Sequence, residues 1–165
     1  MVRRSARVVR VSALLPRVGM LASLAAMTEV LVATDADAVF AEVEAALVDE
    51  ATTVVRVREG QAVAGVVAES TPDLVILDLQ IGNMGGIATC IDLRHEAGVG
   101  RLPDVPILML LDRQADVFLA KRSDADGWVV KPLDAFSLRR AATAILTGEG
   151  EPTVEGELVG DVNPG

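Results

Sequence analysis

Several residue types are nearly missing from this 165-residue chain, and each shortage removes a class of function. A single cysteine, Cys90, excludes an internal disulfide framework and a cysteine-based zinc site. A single histidine, His95, excludes His-rich metal chemistry. Tyrosine is absent, and one Trp with three Phe is too few aromatics for a base-stacking platform. No apolar run reaches the roughly 18 uninterrupted residues that a membrane span needs. Lysine is also scarce: Lys121 and Lys131 stand against 13 arginines.

What remains is 51% hydrophobic, enough to bury one core and too apolar for a disordered chain. The net charge is −9 and unevenly spread. Residues 1–28 carry five arginines and no acid, whereas 149–165 carry five acids and no base. The intervening body alone accounts for −9, which argues against a nucleic-acid-binding domain with its usual basic face. Residues 1–28 read as a basic, disordered extension. Val18–Met27 loosely mimics a signal peptide, but Pro16 and Arg17 interrupt it and no clean cleavage site follows. Residues 148–165 read as an acidic, disordered tail, leaving 29–147 as one domain.

Within that body two periodicities alternate. Val30–Ala33, Thr52–Val57, Leu74–Leu77, Ile107–Leu111 and Trp128–Val130 are short apolar or β-branched runs, which suit buried strands. Helical spacing separates them. Asp37 is expected to cap a helix with Val39, Phe40, Val43, Ala46 and Leu47 inward. A second helix over Gly60–Ser70 turns Val63, Val66 and Val67 inward. A third, after the glycine-rich loop 82–86, turns Ile87, Cys90, Ile91 and Leu93 inward. A polar helix is expected over Gln114–Arg122. Asp134 caps the last, with Phe136, Leu138, Ala142, Ile145 and Leu146 inward and Gly148 stopping it. Five βα units imply a parallel sheet covered by helices on both faces, with any site at the carboxyl ends of the strands.

Those ends carry the chemistry. Thr34 and Asp35 follow the first strand, Asp78 the third, Asp112 the fourth after Leu111, and Lys131-Pro132 the fifth. Carboxylates without histidine or cysteine suit a hard, oxygen-liganded cation such as Mg²⁺. The stretch Pro72-Asp73-Leu74-Val75-Ile76-Leu77-Asp78-Leu79, the loop Met84-Gly85-Gly86 and the run Gly127-Trp128-Val129-Val130-Lys131-Pro132-Leu133 occur in order on this framework. Together they resemble the receiver domain of two-component response regulators over roughly Val30 to Leu146. The resemblance implies a flavodoxin-like (βα)₅ three-layer sandwich with a five-stranded parallel sheet. It also implies Asp78 as phosphoacceptor and metal ligand, with Asp35 and the Gln80 backbone carbonyl completing the Mg²⁺ site. Lys131 would pair with Asp78 and then with the phosphoryl group, and Pro132 invites a cis peptide.

Three departures stand out. The family usually has two adjacent acids after strand one; here the first is Thr34, left with at most a water-mediated contact to the metal. The family's strand-four Thr or Ser is Leu111, which cannot bond a phosphoryl oxygen. The small residue after it is Asp112, which should repel an incoming dianion if it points inward. The aromatic switch position is filled by Trp128.

The expected function is therefore that of a stand-alone, non-enzymatic response regulator in a cytoplasmic phosphorelay. Its partners would be a sensor histidine kinase or phosphotransfer protein and a downstream protein target, with no nucleic acid and no membrane span. In the family, the face made by the fourth helix, fifth strand and fifth helix often serves partners or homodimers. Two alternatives stand beside this reading. One is a pseudo-receiver, a phosphorylation-independent protein-binding module. The other, an aspartate-nucleophile phosphohydrolase, wants an acid two residues after Asp78 and meets Gln80 instead.

Overall fold

The computed structural model describes residues 27–149. The expected extension and tail lie, apart from two residues at each junction, outside the described residues. Five strands, β1 (Thr28–Ala33), β2 (Thr52–Val57), β3 (Leu74–Asp78), β4 (Ile107–Leu111) and β5 (Gly127–Val130), form one sheet in the order β2-β1-β3-β4-β5. All four pairings are parallel, and helices connect the strands. The helices are α1 (Asp37–Leu47), α2 (Gly60–Ser70), α3 (Gly86–Gly98), α4 (Val117–Arg122) and α5 (Ala135–Thr147).

The pleat sorts the strand residues into two cores. Leu31, Ala33, Val75, Leu77, Ile107, Met109, Leu111 and Trp128 bury against Val63 and Val67 of α2, Cys90 and Leu93 of α3, and Ala120 of α4. Their alternates, Val30, Val32, Leu74, Ile76, Leu108, Leu110 and Val129, bury against Val43 and Ala46 of α1 and Leu138, Ala141 and Ala142 of α5. Strands that are apolar on both faces are thus explained by helices on both faces.

Some local expectations differ. Asp37 does not cap α1; Ala36 holds the cap position without a side-chain bond, and Asp37 opens the first turn. Its carboxylate instead meets Arg56 at 2.7 Å and Arg58 at 2.8 Å. Ile91, Phe136 and Leu146 are exposed rather than inward. On α3 the buried stripe runs Gly86, Thr89, Cys90, Leu93, and Ile91 sits about 100° around the helix from Cys90. On α5 the stripe runs through Leu138, Ala141 and Ala142, and Phe136 lies about 200° from Leu138. The polar segment after β4 divides into a 3₁₀ turn, Gln114–Asp116, and the six-residue α4. Asp116 closes that turn: its carboxylate accepts the Arg113 N–H at 3.1 Å, and its own N–H donates to the Arg113 carbonyl at 3.0 Å. Asp134 and Gly148 do terminate α5 as expected: Asp134 accepts from the Ser137 N–H at 2.8 Å, and Gly148 is left-handed at φ 70°.

One glycine shapes the route to the site. Gly60 opens α2 against the β3–α3 loop, and its N–H donates to the Gly82 carbonyl at 3.1 Å. A Cβ there would stand 2.0 Å from the Met84 carbonyl oxygen. In the same loop Asn83 and Met84 take positive φ values of 57° and 126°, which side chains rarely adopt.

Candidate functional site

Pleat parity explains which side chains meet beyond the strands. Thr34 continues the Val30, Val32 face; Asp78 continues Leu74, Ile76; Asp112 continues Leu108, Leu110; and Lys131 continues Val129. Parallel strands in register bring these four to one edge of the sheet, and they bond to one another.

Asp78 is the centre. It is 2% exposed, and both carboxylate oxygens are held. Oδ1 accepts from Lys131 Nζ at 2.7 Å and from the Gln80 N–H at 3.3 Å. Oδ2 accepts from Thr34 Oγ1 at 2.7 Å. The peptide bond between Lys131 and Pro132 is cis. Lys131 also donates to Asp112 Oδ1 at 3.0 Å, so one ammonium serves two carboxylates. Burial acts to lower the lysine pKa, but the bonds to Asp78 and Asp112 overcome it and hold the pKa above its ordinary 10.5. For Asp112, burial opposes ionisation, yet the Lys131 bond carries its pKa below the ordinary 3.8.

Two of these contacts add to what the resemblance implies. Thr34, assigned at most a water-mediated metal contact, is fully buried and bonds Asp78 directly while accepting the Ala36 N–H at 3.2 Å. Asp112 does point inward, and Lys131 takes it up. Counting alternate positions past the ends of β1 and β4 was the available signal for both. Leu111 and Trp128, the proposed switch positions, have the opposite parity. Both are buried in the core beneath α2, α3 and α4. The Lys121 ammonium lies 5.2 Å from the Trp128 ring centroid.

Asp35 lies exposed at the mouth, where its Oδ2 accepts the Gly82 N–H at 3.2 Å. Among the described residues no group of three or more His, Cys, Asp or Glu side chains is arranged to hold a metal. The oxygen set is smaller: two carboxylates, Asp35 and Asp78, and the Gln80 carbonyl, at which no backbone N–H is directed among the described residues. As a donor set, hard oxygens with water completing the shell fit Mg²⁺ better than a softer ion.

The Thr34 hydroxyl can be tested by itself. Thr34→Val keeps the volume and removes the donor to a buried carboxylate. Such a loss costs about 1–3 kcal/mol, and a urea melt at pH 7 should show it as a lower midpoint with an unchanged slope.

The sequence matches the response regulator receiver domain family over residues 30–143. It is 36% identical over 106 residues to the DNA-binding response regulator MtrA of Mycolicibacterium smegmatis, covering 63% of this chain and 44% of that protein. It is 30% identical over 130 residues to the transcriptional regulatory protein AfsQ1 of Streptomyces coelicolor, covering 77% and 55% respectively. The chain thus spans about half the length of these relatives. Among solved structures, the chemotaxis protein CheY4 of Vibrio cholerae superposes with a TM-score of 0.64 at 24% identity, covering 73% of this chain and 99% of that one. That likeness is one of fold, the flavodoxin-like parallel sandwich. With 114 matched residues carrying both Asp78 and Lys131, the chain belongs to the response regulator receiver domain family.

Proposed function

We propose that Asp78 accepts a phosphoryl group from the phosphohistidine of a sensor histidine kinase or phosphotransfer protein, and that the chain then signals by protein contact in the cytoplasm. The observation that carries this reading is the Lys131 ammonium set 2.7 Å from a carboxylate that is nearly fully buried at the sheet's carboxyl edge.

The reaction needs positioning and charge more than bond-making by the protein. A carboxylate oxygen of Asp78 attacks phosphorus as the bond to the histidine nitrogen breaks. Lys131 is placed to receive a phosphoryl oxygen, and the Thr34 hydroxyl and Gln80 N–H hold the carboxylate in one orientation. Asp35, Asp78 and the Gln80 carbonyl would hold Mg²⁺. Bound there, the ion supplies positive charge against the phosphoryl oxygens. The DNA binding named for MtrA belongs to that protein, of which this chain matches less than half. No described helix is long and apolar enough to cross a membrane.

With Mg²⁺ and a small acyl phosphate, the chain should gain one phosphoryl mass, and Asp78→Asn should gain none. An adduct that persists in Asp78→Asn, or none on either the unsubstituted chain or Asp112→Asn, overturns the reading. Its rival is a pseudo-receiver, in which the same fold binds partners without phosphate. Leu111, buried and without a hydroxyl, favours that rival. Absence of any adduct would decide for it.

A further inference from the structure

Three carboxylates share the mouth of this site, but one of them, Asp112, has no part in the chemistry above. It is not a displaced surface residue. Its Oδ1 lies 3.0 Å from Lys131 Nζ, and its Oδ2 is buried with no hydrogen-bond partner. An unpaired carboxylate oxygen is unfavourable in itself, and the bond to Lys131 more than offsets that cost, keeping the carboxylate ionised.

The lysine has three N–H donors. Asp78 takes one and Asp112 another. An arriving phosphoryl group carries two negative charges and needs the same ammonium. It therefore meets a lysine already neutralised by a carboxylate that is not the acceptor. Leu111, one residue back, cannot compensate with a hydroxyl.

Resting on the phosphoacceptor reading of Asp78, we propose that Asp112 is an anionic gate. It acts through Lys131, as a positioning residue, to hold the ammonium between two carboxylates and to slow entry of the phosphoryl group. The step it governs is simple in balance. With a small acyl phosphate as donor, the bond from phosphorus to the donor's carboxylate oxygen breaks while the bond to an Asp78 oxygen forms, and no net proton moves. Asp112 neither attacks nor leaves. Its charge raises the barrier, and its bond to Lys131 leaves the ammonium a single free N–H for the phosphoryl oxygens.

The test uses the full chain and two neutral variants, Asp112→Asn and Asp112→Ala. Asparagine keeps the shape and an oxygen for Lys131; alanine keeps neither. Adduct formation from the acyl phosphate is timed by intact mass, and beryllofluoride affinity in Mg²⁺ is measured by calorimetry. Both variants should form adduct about tenfold faster and bind beryllofluoride about tenfold more tightly, because each removes a like charge beside the acceptor. The difference in rate should shrink in 1 M salt, where charge is screened and shape is not. A gain in alanine alone would assign the effect to space and overturn the gate. Equal rates and affinities in all three chains would overturn it too, while leaving Asp78 as the acceptor. No adduct and no beryllofluoride binding in any chain would remove the phosphoacceptor reading, and the gate with it.

Discussion

Replacing Gly60 by alanine should destabilise the protein by about 3 kcal/mol, the upper range for overpacking against atoms that cannot turn aside. The added Cβ would stand 2.0 Å from the Met84 carbonyl oxygen and 2.7 Å from Thr89 Oγ1. The first is backbone, in a loop with two residues already at positive φ. The second is itself tied to the Met84 and Gly85 carbonyls at 3.2 and 3.1 Å. Relief requires α2 and the loop to part, which breaks the Gly60 N–H bond to Gly82 and moves the Gly82 N–H away from Asp35. A second glycine of the same helix supplies the control. Gly65 is exposed with open space around it. Gly65→Ala should stabilise by about 0.5–1 kcal/mol through lower unfolded-state entropy and better helix propensity. Opposite shifts in urea midpoint from the same substitution, five residues apart, are the expected result.

Lys131→Met should cost a similar amount, about 3 kcal/mol, because it leaves the buried Asp78 without its cation. Methionine retains most of the apolar stem, so the loss is chiefly one of charge. Adding Asp112→Asn to that variant should return about 1 kcal/mol, since the two sites share a partner and are not independent. The pH dependence follows from the two displaced pKa values. The lysine's folded pKa lies above 10.5, so its contribution is complete below that pH and disappears as pH rises through the folded value. The folded pKa of Asp112 lies below 3.8, so its contribution is complete above that pH and disappears as pH falls through the lowered value. The gap between the unsubstituted chain and Lys131→Met should therefore be flat across neutral pH and close under strong alkali. A gap that stays open after the lysine has lost its proton would mean that packing of the stem, not the ammonium, carries the effect.

How legible was this in the sequence? Strands β3 and β4 were, because five consecutive buried residues each leave no helical alternative of that length between their flanking prolines and turns. The five βα units and the sheet edge follow from periodicity, and Asp78, Asp35 and Lys131 stand at or just past the strand ends. The helix faces were less clear. Ile91 and Phe136 look like core residues by type, and only their angle from Cys90 and Leu138 shows otherwise. Asp37 looked like a cap because it precedes an apolar stripe. Two arginines from β2 and the turn after it outbid the helix for its carboxylate. At Thr34 and Asp112 the resemblance says what is missing, not what a threonine hydroxyl and a carboxylate do when both reach one lysine–aspartate pair. Such contacts join residues 44 and 19 positions apart, so alternation along β1 and β4 gives each side chain's direction but not its partner.

The strand order leaves β2 and β5 as the two rims of the sheet. β5 is only four residues long, but β2 has six and exposes Thr53 and Val55, a length on which another chain's strand can template. Arg56 stands in that strand. It donates to the Thr34 carbonyl at 3.1 Å, grips Asp37, and lies 4.9 Å from the centroid of the Phe40 ring. The same arginine therefore joins the rim strand, the backbone just ahead of Asp35 and the first turn of α1 through one side chain.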